Sequence, residues 1–438
     1  MPQFIKIKQM IQEKNLTATQ KSRFNLKVKF VVFYTFYFKM MLFIISPVTF
    51  IRVLRRLNFF LSSIQHNKFA RTRQGTKIDL YVPAFPSKAF FTACNKFAVF
   101  KDIMPCTTVL ISVTSACRFS CPHCYQKHDI GKDMDINILI STIKKLQDMG
   151  IAFFNIEGGE PFLVFERLKQ VCRAIDHRSE IWINSTGDGM SIEKLKELKQ
   201  DNIAGFMFSL HTPEKKSFNE FMGKETAWDD MIQGIQMCRE AGFAAAINTC
   251  LMKNSFFDGT FEKIMELTKD RGITLIQIIK PKPAGGYLSG IENDFNEEDL
   301  KTVKQKVMHY NLDVSKNKYP SISAQIIEES EEMFGCTAGG TDRFYINAKG
   351  DVQPCEFVNI SYGNITTGNF DEIYKKMRKS FAGGGDCWIC EKYSCEIYKE
   401  FKENNLKSLP LSPEKSEHLF KNWRRGRQSK FYEKVYKL

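Results

Sequence analysis

Three thiols crowd into eight residues at Cys117-Arg-Phe-Ser-Cys121-Pro-His-Cys124. A structural zinc site takes four protein ligands, and no fourth Cys or His stands at a usual zinc spacing, although His123 and His128 are near. Three cysteines can instead hold an iron–sulfur cube and leave one iron open to a ligand, which chemistry at a cluster requires. A second group comprises Cys336, Cys355, Cys387, Cys390 and Cys395, with Gly350 between the first two. Four of these thiols suffice for one further metal site, and a zinc-ribbon-like centre is the alternative to a cluster. Either metal would tie the folding of that segment to its ligands. Cys94, Cys106, Cys172, Cys238 and Cys250 read as packing residues, since buried free cysteine behaves as a small hydrophobe. Gly158-Gly159-Glu160-Pro161 adds a glycine pair, which is either a turn or a close approach of backbone to ligand.

The elements that must position these residues follow from periodicity. Short β-branched or aromatic runs near 108–114, 151–156, 180–185, 204–210, 244–252 and 273–280 alternate with helical patterns at 134–149, 162–176, 190–200, 228–241 and 256–271. That alternation predicts βα units around a parallel sheet. Gly150, Gly242 and Gly272 stand where helix-ending glycines belong. The cysteine loop follows the first strand and the glycine pair follows the second. Asn184, Ser185 and Thr186 end the third, Ser209 ends the fourth and Asn248 lies in the fifth. Ligands of parallel αβ barrels gather at the strands' C-terminal ends, where these residues sit. After PKPAGG (281–286) the rhythm stops; Lys280 and Lys282, beside two prolines, either face the substrate or, as the preferred reading, belong to a solvated loop.

The CxxxCxxC spacing after a first barrel strand resembles the radical S-adenosylmethionine (SAM) superfamily, and Gly158, Gly159, Glu160 and Pro161 resemble its GGEP motif. His123 stands where the family usually has another aromatic. The later cysteines, with Cx13GxxxxC at Cys336–Cys355, resemble the SPASM and twitch extensions of the same superfamily. The resemblance implies an α/β fold, a partial (βα)6 TIM-type barrel with a small C-terminal iron–sulfur extension; composition adds an N-terminal hydrophobic and basic segment before it. The resemblance implies a 4Fe-4S cluster on Cys117, Cys121 and Cys124, and SAM contacts from Gly158, Gly159, Glu160, Pro161, Asn184, Ser185, Ser209 and Asn248. It also implies one auxiliary 4Fe-4S cluster on Cys336, Cys355, Cys387 and Cys390, with Cys395 as alternative to either of the last two. The expected divisions are 1–75, 76–107, 108–310 for the core, 311–400 for the auxiliary-cluster domain and 401–438 for a basic tail.

The net charge of +14 is unevenly spread. Residues 1–75 carry +13 and 414–438 carry +5, leaving the body at −4. A mildly acidic body argues against a nucleic-acid partner. Residues 30–51 form an apolar run interrupted by Lys39 and Pro47 and flanked by basic residues on both sides. Its length is that of a membrane span, but its flanks give no orientation, so an interfacial or re-entrant anchor is the better fit, with a buried hydrophobic helix or hairpin as the alternative. The resemblance implies reductive cleavage of SAM to a 5′-deoxyadenosyl radical and hydrogen abstraction, with a flavodoxin or ferredoxin as electron donor; the apolar run with its basic flanks sets the expected substrate, a lipid or peptide, at the cytoplasmic face of a membrane. A cytoplasmic peptide-modifying enzyme is the alternative, and a non-catalytic iron–sulfur or zinc scaffold a third. No catalytic residue beyond the cluster cysteines is assigned.

Overall fold

The computed structural model describes residues 15–99, 106–199, 202–292, 295–381 and 384–438. Its strands are β1 (Ala70–Thr72), β2 (Gly75–Lys77), β3 (Thr108–Ser112), β4 (Phe153–Glu157), β5 (Glu180–Ser185), β6 (Ile203–Ser209), β7 (Ala244–Cys250), β8 (Leu275–Ile279), β9 (Ser321–Ala324), β10 (Arg343–Ile346) and β11 (Val352–Gln353). The six expected strands are β3 to β8, hydrogen-bonded in chain order and all parallel. Two further parallel strands extend the sheet, β9 beside β8 and β10 beside β3. Because β10 comes from the cysteine-bearing C-terminal segment, that segment is part of the barrel's sheet rather than an appended unit.

Period-two alternation sorts each strand's residues between two environments. On β4, Phe154 and Ile156 join the main core with Leu168 and Val171 of the helix Phe165–Ala174. The opposite face of the sheet grades along its length. Phe153, Trp182, Ala204, Ala244 and Leu275 form an apolar plug with Ala70 and Leu80 of the N-terminal segment. Towards the strands' C-terminal ends, Asn155, Glu157, Asn184, Ser209, Asn248 and Gln277 replace them. Within the plug, Lys77 is fully buried and pairs with Glu180 at 2.5 Å, and Glu180 also accepts from Trp182 Nε1 at 2.8 Å. Breaking such a buried pair costs about 3–5 kcal/mol.

The apolar run 30–51 does not form one membrane-length helix. The helix Ala18–Met41 stops at a turn in which Phe43 has φ 56°, and a second helix, Pro47–Ser63, starts behind the Ser46 cap. Pro47 at the first helical position and the Ser46 hydroxyl accepting from Thr49 N–H are strong start signals, which is why the run breaks there. Among the described residues no helix is long and apolar enough to cross a membrane. The two helices pack face to face through Val28, Val32, Phe36, Phe50, Val53 and Leu57, with Phe90 of the helix Lys88–Val99 completing their core. The C-terminal residues, expected as a tail, fold as helices Pro413–Phe420 and Lys430–Tyr436. Phe431 stacks on Phe59, so the two basic ends of the chain meet. The basic residues Lys6, Lys8 and Lys14 lie outside the described residues.

Candidate active site

The cysteine loop is braced from both sides by glycines. Gly159 N–H donates to Thr114 O and Glu160 N–H to Ala116 O, both at 2.8 Å. A Cβ on Gly159 would overlap the Ala116 carbonyl, and Gly158 sits at φ +149° with the Thr114 carbonyl in the way of any side chain. At the loop's other end, a Cβ on Gly285 or Gly286 would overlap the carbonyl of Cys124 or Pro122, and Gly286 N–H donates to Cys124 O at 2.9 Å. PKPAGG, which in the sequence only marks where the βα rhythm ends, is therefore a second buttress of the loop.

Cys117 is exposed and Cys121 and Cys124 are half-buried at one wall of a cavity of about 400 Å³. Burial, with Cys124 and Cys117 beside it, pushes the Cys121 thiol up to about 12. Across the cavity stand Gly158, Gly159, Asn184, Ser185, Ser209 and Asn248. Glu160 and Pro161 are buried behind the wall. The Glu160 carboxylate accepts from Ser185 Oγ at 2.9 Å, Phe162 N–H at 3.1 Å, Thr186 N–H at 2.6 Å and Thr186 Oγ1 at 2.5 Å. Its oxygens are thereby used to tie the end of β4 to the end of β5. His123 is held as a flat neutral ring, stacked on Phe221 at 4.9 Å and pushed down to about 4 by burial.

Several residues of the cavity carry no sequence signal beyond their inward register on a strand. Glu157 Oε2 accepts from Asn155 Nδ2 at 3.1 Å and Asn184 Nδ2 at 3.0 Å, which turns both amide oxygens away from it. Those oxygens, together with Glu157 Oε1 and Asn248 Oδ1, are buried with no partner. Burial, with Glu356 facing it, pushes the Glu157 carboxyl up to about 8. His211 Nδ1 accepts from Cys250 N–H at 3.0 Å, which leaves the proton on Nε2, also buried and unpartnered. Cys250 lines the cavity, unlike the purely packing role its strand pattern suggested. Lys282 is 5% exposed and paired with Glu391 at 3.1 Å, so its loop is not solvated.

The second cysteine group assembles from three segments. An exchange of backbone hydrogen bonds between Cys336 and Gly385 sets Cys336 beside Cys387, while Cys390 opens the helix Ile389–Glu403 and Cys355 follows β11. Cys336, Cys355 and Cys390 are buried and Cys387 is half-buried, while Cys395 is exposed further along the helix. Charge on Cys336 opposes charge on Cys387 and Cys390, and charge on Cys390 opposes charge on Cys355, which links the four thiols electrostatically. The C-terminal segment covers them: Arg425 is half-buried and donates to the carbonyls of Cys336 and Ala338, and Gly426 leaves room for Cys387 Sγ. Glu356, next to Cys355, reaches the wall of the first cavity, so the two sites share a boundary.

Among the described residues no three His, Cys, Asp or Glu side chains converge tightly enough to grip a single metal ion. An iron–sulfur cube holds its thiolates further apart, at separate irons. The loop's three thiols, the side-chain-free approach at Gly158 and Gly159 and the orphaned buried acceptors of Asn184 and Asn248 fit such a cube with SAM beside it.

Comparison with known proteins agrees. The Radical SAM superfamily profile matches residues 111–268, and that of an iron–sulfur cluster-binding domain, SPASM, matches residues 336–396. The AdoMet-dependent heme synthase of Nitratidesulfovibrio vulgaris is 22% identical over 313 residues, covering 65% of this chain and 85% of that protein. The GTP 3′,8-cyclase of Campylobacter fetus subsp. fetus is 25% identical over 261 residues, covering 56% and 78%. Among solved structures, Streptococcus suis SuiB bound to precursor peptide SuiA superposes with a TM-score of 0.52 at 19% identity, covering 66% of this chain and 73% of SuiB. With a parallel partial barrel, a three-cysteine loop at its C-terminal mouth and both profiles in register with these features, the chain belongs to the radical SAM superfamily, whose cofactors are a 4Fe-4S cluster and SAM, and carries a SPASM domain for auxiliary iron–sulfur clusters.

Proposed function

We propose that this enzyme abstracts hydrogen from a peptide substrate held between the barrel mouth and the SPASM domain. The carrying observation is the cavity itself: the cysteine loop, the glycine pair and the strand-end polar residues enclose about 400 Å³ with Glu356 and Phe357 of the SPASM domain in its wall. Cys117, Cys121 and Cys124 would hold the cluster, and Gly158, Gly159, Asn184, Ser209 and Asn248 would hold SAM, with Glu160 and Ser185 acting through the strand ends they join. The chemistry this pair supplies when bound is one-electron reductive cleavage of SAM to methionine and a 5′-deoxyadenosyl radical. The chain's own part is positioning and exclusion of water. His123 and Phe221 offer an uncharged aromatic surface, and Glu157 orients the Asn155 and Asn184 amides so that their oxygens can take donors from a ligand. Cys336, Cys355, Cys387 and Cys390 would hold one auxiliary cluster; Cys395 faces solvent and is left out.

The likeness to SuiB, whose solved complex contains a precursor peptide, supports the peptide reading. A lipid or membrane-bound peptide at the cytoplasmic face is the second reading, favoured by the exposed apolar surface of the helices Ala18–Met41 and Pro47–Ser63. A flavodoxin or ferredoxin would supply the electron. The test is anaerobic reconstitution with iron and sulfide, reduction by dithionite and chromatography of SAM products. Formation of 5′-deoxyadenosine is expected, and its absence from cluster-loaded protein would overturn the reading.

A further inference from the structure

The two N-terminal helices form a hairpin that is apolar on its outside as well as its inside. Val28, Val32, Phe36, Phe50 and Val53 fill the inner side. A helix hydrophobic all round belongs in a core or in lipid, and this one has a core on one side only. Phe30, Tyr34, Phe38, Leu42, Phe43 and Ile44 are exposed, Phe43 at the turn by 95%. Contiguous apolar surface of this kind marks an interaction site.

The exposed residues are ordered along the hairpin. On the first helix one outer face runs Arg23, Lys27, Phe30, Tyr34, Phe38 and Met41 at steps of three or four residues, so they lie in a single row. On the second helix Val48, Ile51 and Arg55 repeat the order in reverse, away from the turn. Both helices are thus apolar at the tip and basic further back. From Phe30 to Met41 the row spans about 17 Å at 1.5 Å per residue, a length of apolar face that can lie along the headgroup–acyl boundary. Lys39, which would oppose insertion, is turned to the protein side, where it donates to Asn95 Oδ1 at 2.7 Å over the Phe36 ring.

Charge selects the occupant. No Asp or Glu occurs between residues 14 and 78, and the C-terminal helix packed on Phe59 adds Lys434 and Lys437 against one exposed acid, Glu433. A second copy on this face would set one basic row against another with no acid between them. We propose that the hairpin seats the protein on an anionic phospholipid surface, with Leu42, Phe43 and Ile44 among acyl chains and Arg23, Lys27 and Arg55 among headgroup phosphates, a placement typical of interfacial helices. The hairpin's exposed residues take no part in lining the cavity, so docking does not depend on the radical chemistry.

The experiment is co-sedimentation of the full chain with vesicles of phosphatidylcholine, with and without phosphatidylglycerol. Binding to the phosphatidylglycerol vesicles that weakens as salt rises is expected. Leu42→Ser/Phe43→Ser/Ile44→Ser should weaken it by about tenfold or more, and Arg23→Glu/Lys27→Glu/Arg55→Glu should abolish it, both with an unchanged thermal melt because every substituted side chain is exposed. Wild-type protein left in the supernatant, a tip variant that pellets as well as wild type, or a tip-dependent dimer in light scattering without vesicle binding would each overturn the proposal.

Discussion

Glu157 shows how one side chain sets the chemistry of the cavity. Its carboxyl is raised from an ordinary 4.5 to about 8 by burial, with Glu356 adding to it. Between those values the native protein holds a proton that the unfolded chain has lost, so this group makes stability fall as pH rises from about 4.5 to 8. Glu157→Gln should remove that component: the wild-type minus variant difference in urea-unfolding free energy should shrink steadily from pH 5 to pH 8. A pH-independent difference would contradict the raised carboxyl. The cysteine loop and the glycine pair were legible in the sequence because their spacing is local and glycine's reason is steric. Glu157, Asn155 and His211 were not, because a polar residue at the end of a strand looks the same whether it faces a ligand, as these do, or is absorbed by its neighbours, as Glu160 is by Ser185 and Thr186.

Alternating hydrophobicity located β3 to β8 because each is a short apolar run bounded by a helix. It missed β9 and β10, four residues each, whose place is decided by pairing with β8 and β3 rather than by their own pattern. In the sequence the 30–51 run reads as a membrane-length stretch, with a buried helix or hairpin as the alternative, because apolar content outweighs a single Pro; the Ser46 cap makes that Pro a helix start and yields the hairpin. The N-terminal layer holds to the barrel partly through buried lysines. Lys68 donates to the carbonyls of Lys316 at 2.8 Å and Tyr319 at 3.1 Å, and Lys21 to those of Gln65 and Asn67. Burial lowers Lys68 to about 7 and Lys21 to about 8 from 10.5. In the window from these values up to 10.5 the unfolded layer binds more protons than the folded one, so its stability rises with pH. Hydrogen exchange, corrected for intrinsic rates, should show residues 16–78 better protected at pH 9.5 than at pH 7 relative to the barrel strands. Protection that falls relative to the barrel would contradict it.

The molecule brings together parts the chain keeps far apart. The charge surplus at residues 1–75 and 414–438 was visible in composition, but the meeting of the two ends through Phe59 and Phe431 was not, since no local pattern encodes it. Likewise Arg425, from an expected tail, closes over Cys336, and Glu356 beside Cys355 reaches the cavity wall. The chain therefore builds two thiol sites on one sheet, divided between a loop after β3 and a domain joined through β10. The most direct test of that arrangement counts iron and follows electron paramagnetic resonance in anaerobically reconstituted wild type and in Cys117→Ala/Cys121→Ala/Cys124→Ala. Wild type should hold about eight irons per chain, as two cubes of four, with one reduced signal altered by SAM. The variant should keep about half the iron and a signal indifferent to SAM. Full iron with a SAM-sensitive signal in the variant, or no response to SAM in loaded wild type, would contradict the account.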